Sequence, residues 1–228
     1  MAAGALVAII GPNGAGKTSL LNCISGVYRP QAGRVSLDGE DVTALRPHQR
    51  ARRGLARTFQ NLGLFKGLTV LENLLVGRHT HLGVGVLAGG FYWGKGKREE
   101  TQQRRATQEL LEFLELSEHA GKLTGTLSYG LQKRVELGRA LALEPKLLLL
   151  DEPMAGMNAG EKRKMARLIR ELNEKRGMTI AMIEHDIGVV MDLSHRVCVL
   201  DFGERIAEGT PLEVQNDLKV QAAYLGAA

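Results

Sequence analysis

The chain has 228 residues and a formal net charge of +5, and 44% of its residues are hydrophobic although only 4% are aromatic. This length suits one large domain or a core with an inserted subdomain, and the interior must be aliphatic. The roughly 20 consecutive apolar residues of a membrane-spanning helix occur nowhere in the sequence. We also expect no signal peptide, because Met1–Ile10 lacks a basic start and a cleavage site.

Basic residues are concentrated in two parts of the chain, and such clusters could bind nucleic acid or an anionic membrane surface. Acidic residues are interleaved elsewhere, so we interpret the clusters as solvated helix faces and expect no nucleic-acid partner. Cys23 and Cys198 each lie in an apolar run, which indicates buried free thiols and a reducing cytoplasm. The clustered basic residues are Arg46, Arg50, Arg52, Arg53, Arg57, Lys95, Lys97, Arg98, Arg104 and Arg105.

The first part of the chain predicts a strand, a helix, a hairpin and a second strand. Ala5–Ile10 is wholly apolar and is followed by a glycine, which is typical of a buried parallel strand. A helix is expected over Lys17–Gly26. Arg34–Val42 alternates around Asp38-Gly39, which is a hairpin signal, and Leu55–Gln60 predicts another strand.

The middle of the chain is predicted to be helical. Thr69–Arg78 and Arg98–Leu116 have helical spacing, and the second of them has an apolar face. The glycine-dense stretch Leu82–Gly96 between them is expected to be a flexible loop. A further helix is predicted over Tyr129–Leu143 and is ended by Pro145.

Strands and helices alternate again in the last part of the chain. The sequence predicts strands at Leu147–Leu150, Met178–Ile183 and Arg196–Leu200, and helices at Gly160–Arg176 and Ile187–Leu193. We therefore expect an α/β sheet core interrupted by a helical insert. The expected division assigns residues 1–61 and 142–228 to the core and residues 62–141 to the insert.

The loop between the first strand and the first helix carries a specific motif. Gly11–Thr18 matches the phosphate-loop pattern at every fixed position. Its glycines let backbone N–H groups turn toward phosphate oxygens, and the start of the helix adds its positive dipole end. Lys17 can reach the β- and γ-phosphates, and the Thr18 hydroxyl can ligate Mg²⁺. The residues expected to bind the nucleotide are Gly11, Pro12, Asn13, Gly14, Ala15, Gly16, Lys17, Thr18 and Ser19.

An acidic pair, Asp151 and Glu152, directly follows the four leucines of the strand Leu147–Leu150. Ligands of open α/β sheets bind outside the carboxyl ends of the strands, where this pair must lie. Asp151 can hold Mg²⁺ through water, and Glu152 can orient and activate an attacking water. The alternative is an acidic cap on the helix that follows.

Ser128 is a good N-cap for the helix after it. The exposed N–H groups of that helix start would make a second anion-binding site in the chain. A simple helix cap is the alternative interpretation.

Together these motifs resemble those of the ATP-binding subunits of ABC transporters, over nearly the full chain. Gly11–Thr18 resembles the Walker A loop, Leu147–Glu152 the Walker B strand with its catalytic glutamate, and Leu127–Gln132 the signature motif. Gln60 is similar to the residue of the glutamine loop and His185 to the switch histidine. The resemblance implies a phosphate-loop NTPase (RecA-like) sheet core with an inserted α-helical subdomain and a small antiparallel β element.

The same resemblance implies ATP hydrolysis with ATP and Mg²⁺ as cofactors. It implies catalytic roles for Glu152, His185 and Gln60, and contacts to the metal from Thr18, Gln60 and Asp151. In that family Ser128, Gly130 and Gln132 of one subunit would face the nucleotide held by a second ATP-binding subunit. Two ATP molecules would then be sandwiched in a dimer, homomeric or heteromeric.

A narrower resemblance, to the ATPases of branched-chain amino-acid importers, rests on Ala56–Asn61, Leu64–Asn73, Leu127–Arg134 and Ala223–Gly226. It implies integral-membrane permease subunits that contact a groove near Gln60–Leu75, and indirectly a periplasmic or extracellular substrate-binding protein. The chain would lie peripherally on the cytoplasmic face of the inner membrane. ATPases of urea and lipopolysaccharide transport share parts of the pattern and stay open as alternatives.

Other phosphate-loop proteins fit the sequence less well. A soluble ABC ATPase of DNA repair needs a long coiled coil in the insert, and no sustained heptads occur there. The translation type has two such domains in one chain. A phosphate-loop kinase would not require Ser128, Gln60 and His185 together.

Two departures from the family pattern stand out. Family members carry further residues upstream, including an aromatic side chain that stacks on adenine, so either this chain is truncated or its nucleotide is held mainly through the phosphates. Asn158 also stands where most ABC proteins have aspartate.

Overall fold

The computed structural model describes residues 1–59, 63–78 and 95–225, with the main chain alone described for residues 95–102 and 225. The chain divides into two compact units, one made of Met1–Gln60 with Lys146–Ala228 and the other of Asn61–Pro145. The second unit includes residues 142–145, which the sequence assigned to the core. Glu144 forms an ion pair of 2.8 Å with Arg78 of the same unit.

The first unit is built on a mixed β-sheet. Its strands are β1 Leu6–Ile10, β2 Ser36–Leu37, β3 Glu40–Asp41, β4 Leu55–Arg57, β5 Leu147–Asp151, β6 Thr179–Ile183, β7 Arg196–Asp201 and β8 Glu204–Gly209. Six of them form a sheet of order β4-β5-β6-β1-β7-β8, parallel except for the antiparallel edge strand β8. The short strands β2 and β3 form a separate antiparallel pair.

Most of the described helices lie between successive strands along the chain. They are α1 Lys17–Ser25, α2 Pro47–Ala51, α3 Val70–Arg78, α4 Lys95–Phe113, α5 Tyr129–Leu141, α6 Ala159–Glu174, α7 Ile187–Leu193, α8 Pro211–Gln215 and α9 Leu218–Leu225. Among the helices of the described ranges, none has the length and apolar character that crossing a membrane requires.

Both faces of the sheet are covered, because successive residues of a strand point to opposite faces. Ile9 of β1 belongs to a buried cluster that contains Leu21 of α1. Its neighbours Ala8 and Ile10 belong to a second buried cluster with Val190 of α7. The continuous apolar character of β1 follows from this burial on both sides.

The second unit is a small helical assembly of α3, α4 and α5 with two 3₁₀ turns, Ser117–His119 and Thr124–Thr126. Close packing of its helices depends on glycine, since a Cβ at Gly138 would lie 2.5 Å from Leu114 Cδ1 and 2.6 Å from Leu74 Cδ2. The fully buried Asn73 amide donates to Thr124 Oγ1 (2.9 Å) and to the Phe65 carbonyl (3.0 Å).

The fold class predicted from the sequence is confirmed, and the order of its strands and helices agrees with the prediction. Helix α4 begins at Lys95, inside the stretch that was expected to be a loop, while residues 79–94 lie outside the described residues. Three short helices, α2, α8 and α9, and the edge strand β8 were not predicted. The turn between β2 and β3 is at Asp38 and Gly39, as the sequence indicated, with φ of +54° and +79°.

The prediction that the first arginine cluster forms solvated helix faces is wrong for Arg50. Its side chain is fully buried, and its guanidinium donates to the Cys23 carbonyl (2.6 Å) and the Ile24 carbonyl (2.7 Å) at the end of α1. A cation at a helix C-terminus stabilises both the dipole and the last carbonyl groups. The composition of the cluster could not reveal this role, which depends on where α2 packs.

Cys23 and Cys198 are free thiols, as predicted, but they are half-buried rather than buried. Cys198 of β7 packs against the cluster that contains Ile9. Burial raises the pKa of the Cys198 thiol, which favours its protonated form.

Candidate functional site

Three adjacent parallel strands bring the sequence motifs to one edge of the sheet. The phosphate loop follows β1, Asp151 ends β5, and His185 follows the end of β6 at Ile183. Ile183 pairs in register with Asp151 on one side and with Ile9 on the other. The Glu152 N–H donates to the Ile183 carbonyl (3.0 Å), which extends the contact beyond the strands. This edge is where ligands of open α/β sheets bind.

The phosphate loop has the backbone that its glycines predict. Gly11 has φ of +149°, and a Cβ there would lie only 2.1 Å from the Leu200 carbonyl oxygen. Gly16 has φ of +93° and is the last residue before α1. The first N–H groups of α1 have no acceptor within the helix, so they and the helix dipole favour an anion at this point.

Lys17 is the first residue of α1, and its side chain extends back over the phosphate loop. Its side chain is 7% exposed, and Nζ donates to the carbonyls of Gly11 (2.7 Å) and Pro12 (2.9 Å). An ammonium group has three N–H donors. Two are used in these bonds, so the third can donate to a phosphate oxygen. Burial lowers the pKa of Lys17, while the charges of Glu152 and Asp151 act in the opposite direction. The next residues, Thr18 and Ser19, are exposed at the start of the helix.

Asp151 is buried and is held by two consecutive residues of the chain. Its Oδ2 accepts a hydrogen bond of 2.8 Å from Arg57 Nη2, and its N–H donates to Thr58 Oγ1 (3.3 Å). The side chain is 2% exposed. In the part of the chain that the structure describes, the buried Oδ1 has no hydrogen-bond partner.

Glu152 and His185, both predicted to be catalytic, are in direct contact. Glu152 Oε1 lies 2.7 Å from His185 Nε2, with the two side chains 17% and 46% exposed. Glu152 also has φ of +49°, in the left-handed region that residues other than glycine seldom occupy. Strained backbone of this kind is concentrated at functional sites. The pair can therefore orient a water molecule and share its proton.

The residues at this edge fit a magnesium ion bound together with a nucleotide. Carboxylate and hydroxyl oxygens are ligands that Mg²⁺ accepts, and the Oδ1 of Asp151 and the exposed Thr18 hydroxyl supply them. Within the described ranges, no group of three His, Cys, Asp or Glu side chains could hold a metal by itself. An Mg²⁺ ion here would therefore take its remaining ligands from phosphates and water.

The predicted signature residues lie in the second unit, at the start of α5. Ser128 is the N-cap of that helix, and its Oγ accepts from the Leu131 N–H at 3.4 Å. Ser128 is exposed, whereas Gly130 is buried in the first turn. Gln132 Nε2 donates to the Leu127 carbonyl (2.8 Å), which fixes the residue before the cap. Gln60, predicted to be catalytic and to contact the metal, lies outside the described residues.

Two residues of the site were missed by sequence reasoning. Arg57 was assigned to a surface cluster, although its side chain is 5% exposed and bonded to Asp151. Glu184 precedes His185 and is buried, and it accepts hydrogen bonds from the N–H groups of Met154 (3.0 Å) and His185 (3.2 Å). Burial raises the pKa of Glu184, and its backbone donors act in the opposite direction. The only sequence signals were a charged residue inside a predicted strand for Arg57 and one directly after a predicted strand for Glu184.

Asn158, the departure from the usual aspartate, has a structural role in the described chain. It is the N-cap of α6, where its Oδ1 accepts from the Glu161 N–H (3.0 Å) and its own N–H donates to Glu161 Oε2 (3.2 Å). Asparagine caps a helix about as well as aspartate does. The substitution therefore keeps the start of α6 intact.

The chain is similar to known proteins over most of its length. The profile of the ABC transporter family matches residues 1–155, and that of the branched-chain amino acid ATP-binding cassette transporters matches residues 204–228. The high-affinity branched-chain amino acid transport ATP-binding protein BraF of Pseudomonas aeruginosa is 43% identical over 223 residues, which cover 98% of this chain and 88% of that protein.

More distant relatives include the lipopolysaccharide export system ATP-binding protein LptB of Haemophilus influenzae. It is 36% identical, over 97% of this chain and 86% of that protein. Among solved structures, the ADP conformation of an ATP-binding cassette of an ABC transporter is similar, with a TM-score of 0.83 and 37% identity. That alignment covers 98% of this chain and 88% of the solved one.

Proposed function

The chain belongs to the ABC transporter family, and we propose that it is the ATP-hydrolysing subunit of an importer for branched-chain amino acids. The observation that carries the proposal is the meeting of the phosphate loop, Asp151 and the Glu152–His185 pair at one edge of the sheet. The similarity to BraF supports the class of transported substrate.

The residues at the edge divide the work of hydrolysis. The phosphate loop, Gly11–Thr18 with Ser19, binds the phosphates through backbone N–H groups, and Lys17 donates to the β- and γ-phosphates. Glu152 accepts a proton from the attacking water, and His185 holds the Glu152 carboxylate in place through Nε2. Gln60 completes the catalytic set by contacting the water and the metal.

Mg²⁺ is the second cofactor in this proposal, held by Thr18, Asp151 and Gln60. Bound there, the ion would neutralise the charge that develops on the phosphates. Thr18 would hold it through the side-chain hydroxyl. Asp151 would hold it, directly or through a water, with Oδ1, the carboxylate oxygen that is not bonded to Arg57.

A second ATP-binding subunit completes the site. We assign Ser128, Gly130 and Gln132 to the nucleotide that this second subunit holds, because the N-terminus of α5 is an anion-binding end. ATP binding closes the dimer and hydrolysis reopens it. The motion passes to integral-membrane permease subunits, and a periplasmic or extracellular substrate-binding protein delivers the amino acid to them. The chain then lies on the cytoplasmic face of the inner membrane, as a peripheral subunit.

The test is uptake of radiolabelled leucine, isoleucine and valine by cells from which the gene for this chain has been deleted. We expect uptake to be lost, to return with the wild-type chain and not to return with Glu152→Gln. Uptake unaffected by the deletion would contradict the amino-acid assignment. A defect in urea uptake or in lipopolysaccharide export instead would favour one of those transport systems. The similarity to LptB is the observation behind the lipopolysaccharide alternative.

A further inference from the structure

Arg57 joins three parts of the first unit with one guanidinium group. It is the last residue of β4, and its Nη2 donates to Asp151 Oδ2 at 2.8 Å. Its Nη1 donates to Asn22 Oδ1 (2.7 Å) and Ser25 Oγ (3.1 Å), which belong to the helix that follows the phosphate loop. The guanidinium group of Arg57 therefore connects β4, the phosphate-loop helix α1 and the end of β5.

The position of this group matters because of which carboxylate oxygen it engages. A carboxylate has two oxygens, and here Arg57 holds Oδ2 while the Thr58 hydroxyl accepts the Asp151 N–H. Oδ1 has no partner among the residues that the structure describes, although it is fully buried. A buried oxygen without a partner is unfavourable unless a ligand or water satisfies it. Arg57 therefore decides which oxygen is available to a ligand at the sheet edge.

We propose that Arg57 is a positioning residue for the nucleotide-bound metal: by holding Oδ2, it fixes the Asp151 carboxylate so that Oδ1 is the oxygen that serves Mg²⁺ or its water. The inference rests on the proposed function, because it assumes that Asp151 serves a metal bound with ATP. Lysine cannot replace arginine in this role. An ammonium group is a point donor, and it lacks the planar fork that reaches Asp151 and α1 together.

The alternative is a purely structural ion pair that ties β4 to α1. The chain offers a control for it, since Asn22→Ala removes a contact of Arg57 to α1 and leaves the bond to Asp151 in place. If Arg57 only connects β4 to α1, Asn22→Ala and Arg57→Lys should both weaken that connection. If Arg57 positions the Asp151 carboxylate, only Arg57→Lys should lose that effect. A second control is Arg53→Lys, because Arg53 is a half-exposed arginine of the same segment that pairs with Glu40.

The experiment measures Mn²⁺ binding by electron paramagnetic resonance in the presence of a non-hydrolysable ATP analogue. Each full-length variant is also titrated with the analogue in EDTA, which reports folding and metal-free nucleotide binding. Arg57→Lys is the main variant because Arg57→Gln would leave a buried carboxylate without its cation.

We expect Arg57→Lys to lower the Mn²⁺ affinity about 10- to 100-fold, which is the usual effect of losing a residue that orients a metal ligand. Its affinity for the analogue in EDTA should stay at the wild-type value, and Asn22→Ala and Arg53→Lys should keep Mn²⁺ affinity near wild type. Three outcomes would overturn the inference. Arg57→Lys could keep the wild-type Mn²⁺ affinity, or it could lose affinity for the analogue in EDTA to the same extent as it loses Mn²⁺ affinity. The third outcome is a loss of Mn²⁺ affinity in Asn22→Ala equal to that in Arg57→Lys. Absence of Mn²⁺ binding by the wild-type protein with the analogue would contradict the proposed function itself.

Discussion

His185 Nε2 lies 2.7 Å from Glu152 Oε1, although the two residues follow different strands and are 33 positions apart in the chain. The contact exists because β5 and β6 are adjacent and parallel, with Asp151 opposite Ile183. Glu152 reaches it from a left-handed backbone conformation, φ +49°. A carboxylate held in this way by an imidazole keeps one orientation, which a base that activates water requires.

His185→Ala should therefore lower the rate of ATP hydrolysis about 100-fold, since the Glu152 carboxylate loses the partner that orients it. Nucleotide affinity should change little, because the phosphate loop is untouched. The measurement is steady-state ATPase activity alongside an ATP titration. His48→Ala serves as control, as His48 is exposed on α2, and equal loss in both variants would contradict the role of His185.

Lys17→Ala should abolish most nucleotide binding. The substitution removes the charge that faces the phosphates and also the two hydrogen bonds from Nζ to the Gly11 and Pro12 carbonyls. A charged hydrogen bond of this kind contributes about 1.5–3 kcal/mol, so the affinity for ATP should fall at least about tenfold. Isothermal titration of Lys17→Ala is compared with Lys146→Ala, which breaks an exposed ion pair to Asp38. Wild-type affinity for ATP in Lys17→Ala would contradict the assignment of nucleotide binding to the phosphate loop.

Gly138→Ala should destabilise the helical unit. The added Cβ would meet Leu114 Cδ1 at 2.5 Å and Leu74 Cδ2 at 2.6 Å, and both leucines are fully buried, so their methyl groups have little room to move. Overpacking of a core costs about 1–3 kcal/mol, which exceeds the roughly 1 kcal/mol that alanine gains over glycine inside a helix. Gly121→Ala is the matched control, because nothing lies within 4 Å of a Cβ there. Urea unfolding followed by circular dichroism measures both. A free energy of unfolding equal to wild type in Gly138→Ala would show that α3 and α5 are not packed as described.

Glu184→Gln should change how stability depends on pH. Because burial raises the pKa of Glu184 above its ordinary value of 4.5, the folded protein takes up a proton there at a higher pH than the unfolded chain does. The stability from this group is thus fully present below pH 4.5 and is lost as the pH rises through the raised pKa. Glutamine does not titrate, so the variant should gain stability relative to wild type as the pH rises through that window. Urea unfolding at a series of pH values measures this, and a constant difference would contradict it.

Much of the fold could be predicted because its signals are local. The apolar runs of β1, β5 and β6 identify buried strands, and Gly11, Gly14 and Gly16 stand where the loop has positive φ. The predictions failed where a residue's role depends on distant packing. Arg50 and Arg57 belong to one arginine-rich segment, yet the first caps the end of α1 and the second bonds to Asp151. Only the three-dimensional arrangement of β4, α1 and β5 separates those roles.

The meeting of Asp151, Glu152 and His185 at one edge of the sheet could be predicted for the same reason. Asp151, Glu152 and His185 follow strands whose carboxyl ends must share an edge. The partnership of Glu184 with Met154 could not be predicted, because it joins two loops through a buried carboxylate with no sequence motif of its own.

The most direct test of the account is Mg²⁺-dependent ATP hydrolysis by the purified chain and its Glu152→Gln variant. If Glu152 is the group that activates water, the variant binds ATP with wild-type affinity, its turnover falls about 10²- to 10⁴-fold, and it accumulates as an ATP-bound dimer on size exclusion. Turnover close to wild type in Glu152→Gln would contradict the assignment of hydrolysis to this edge of the sheet.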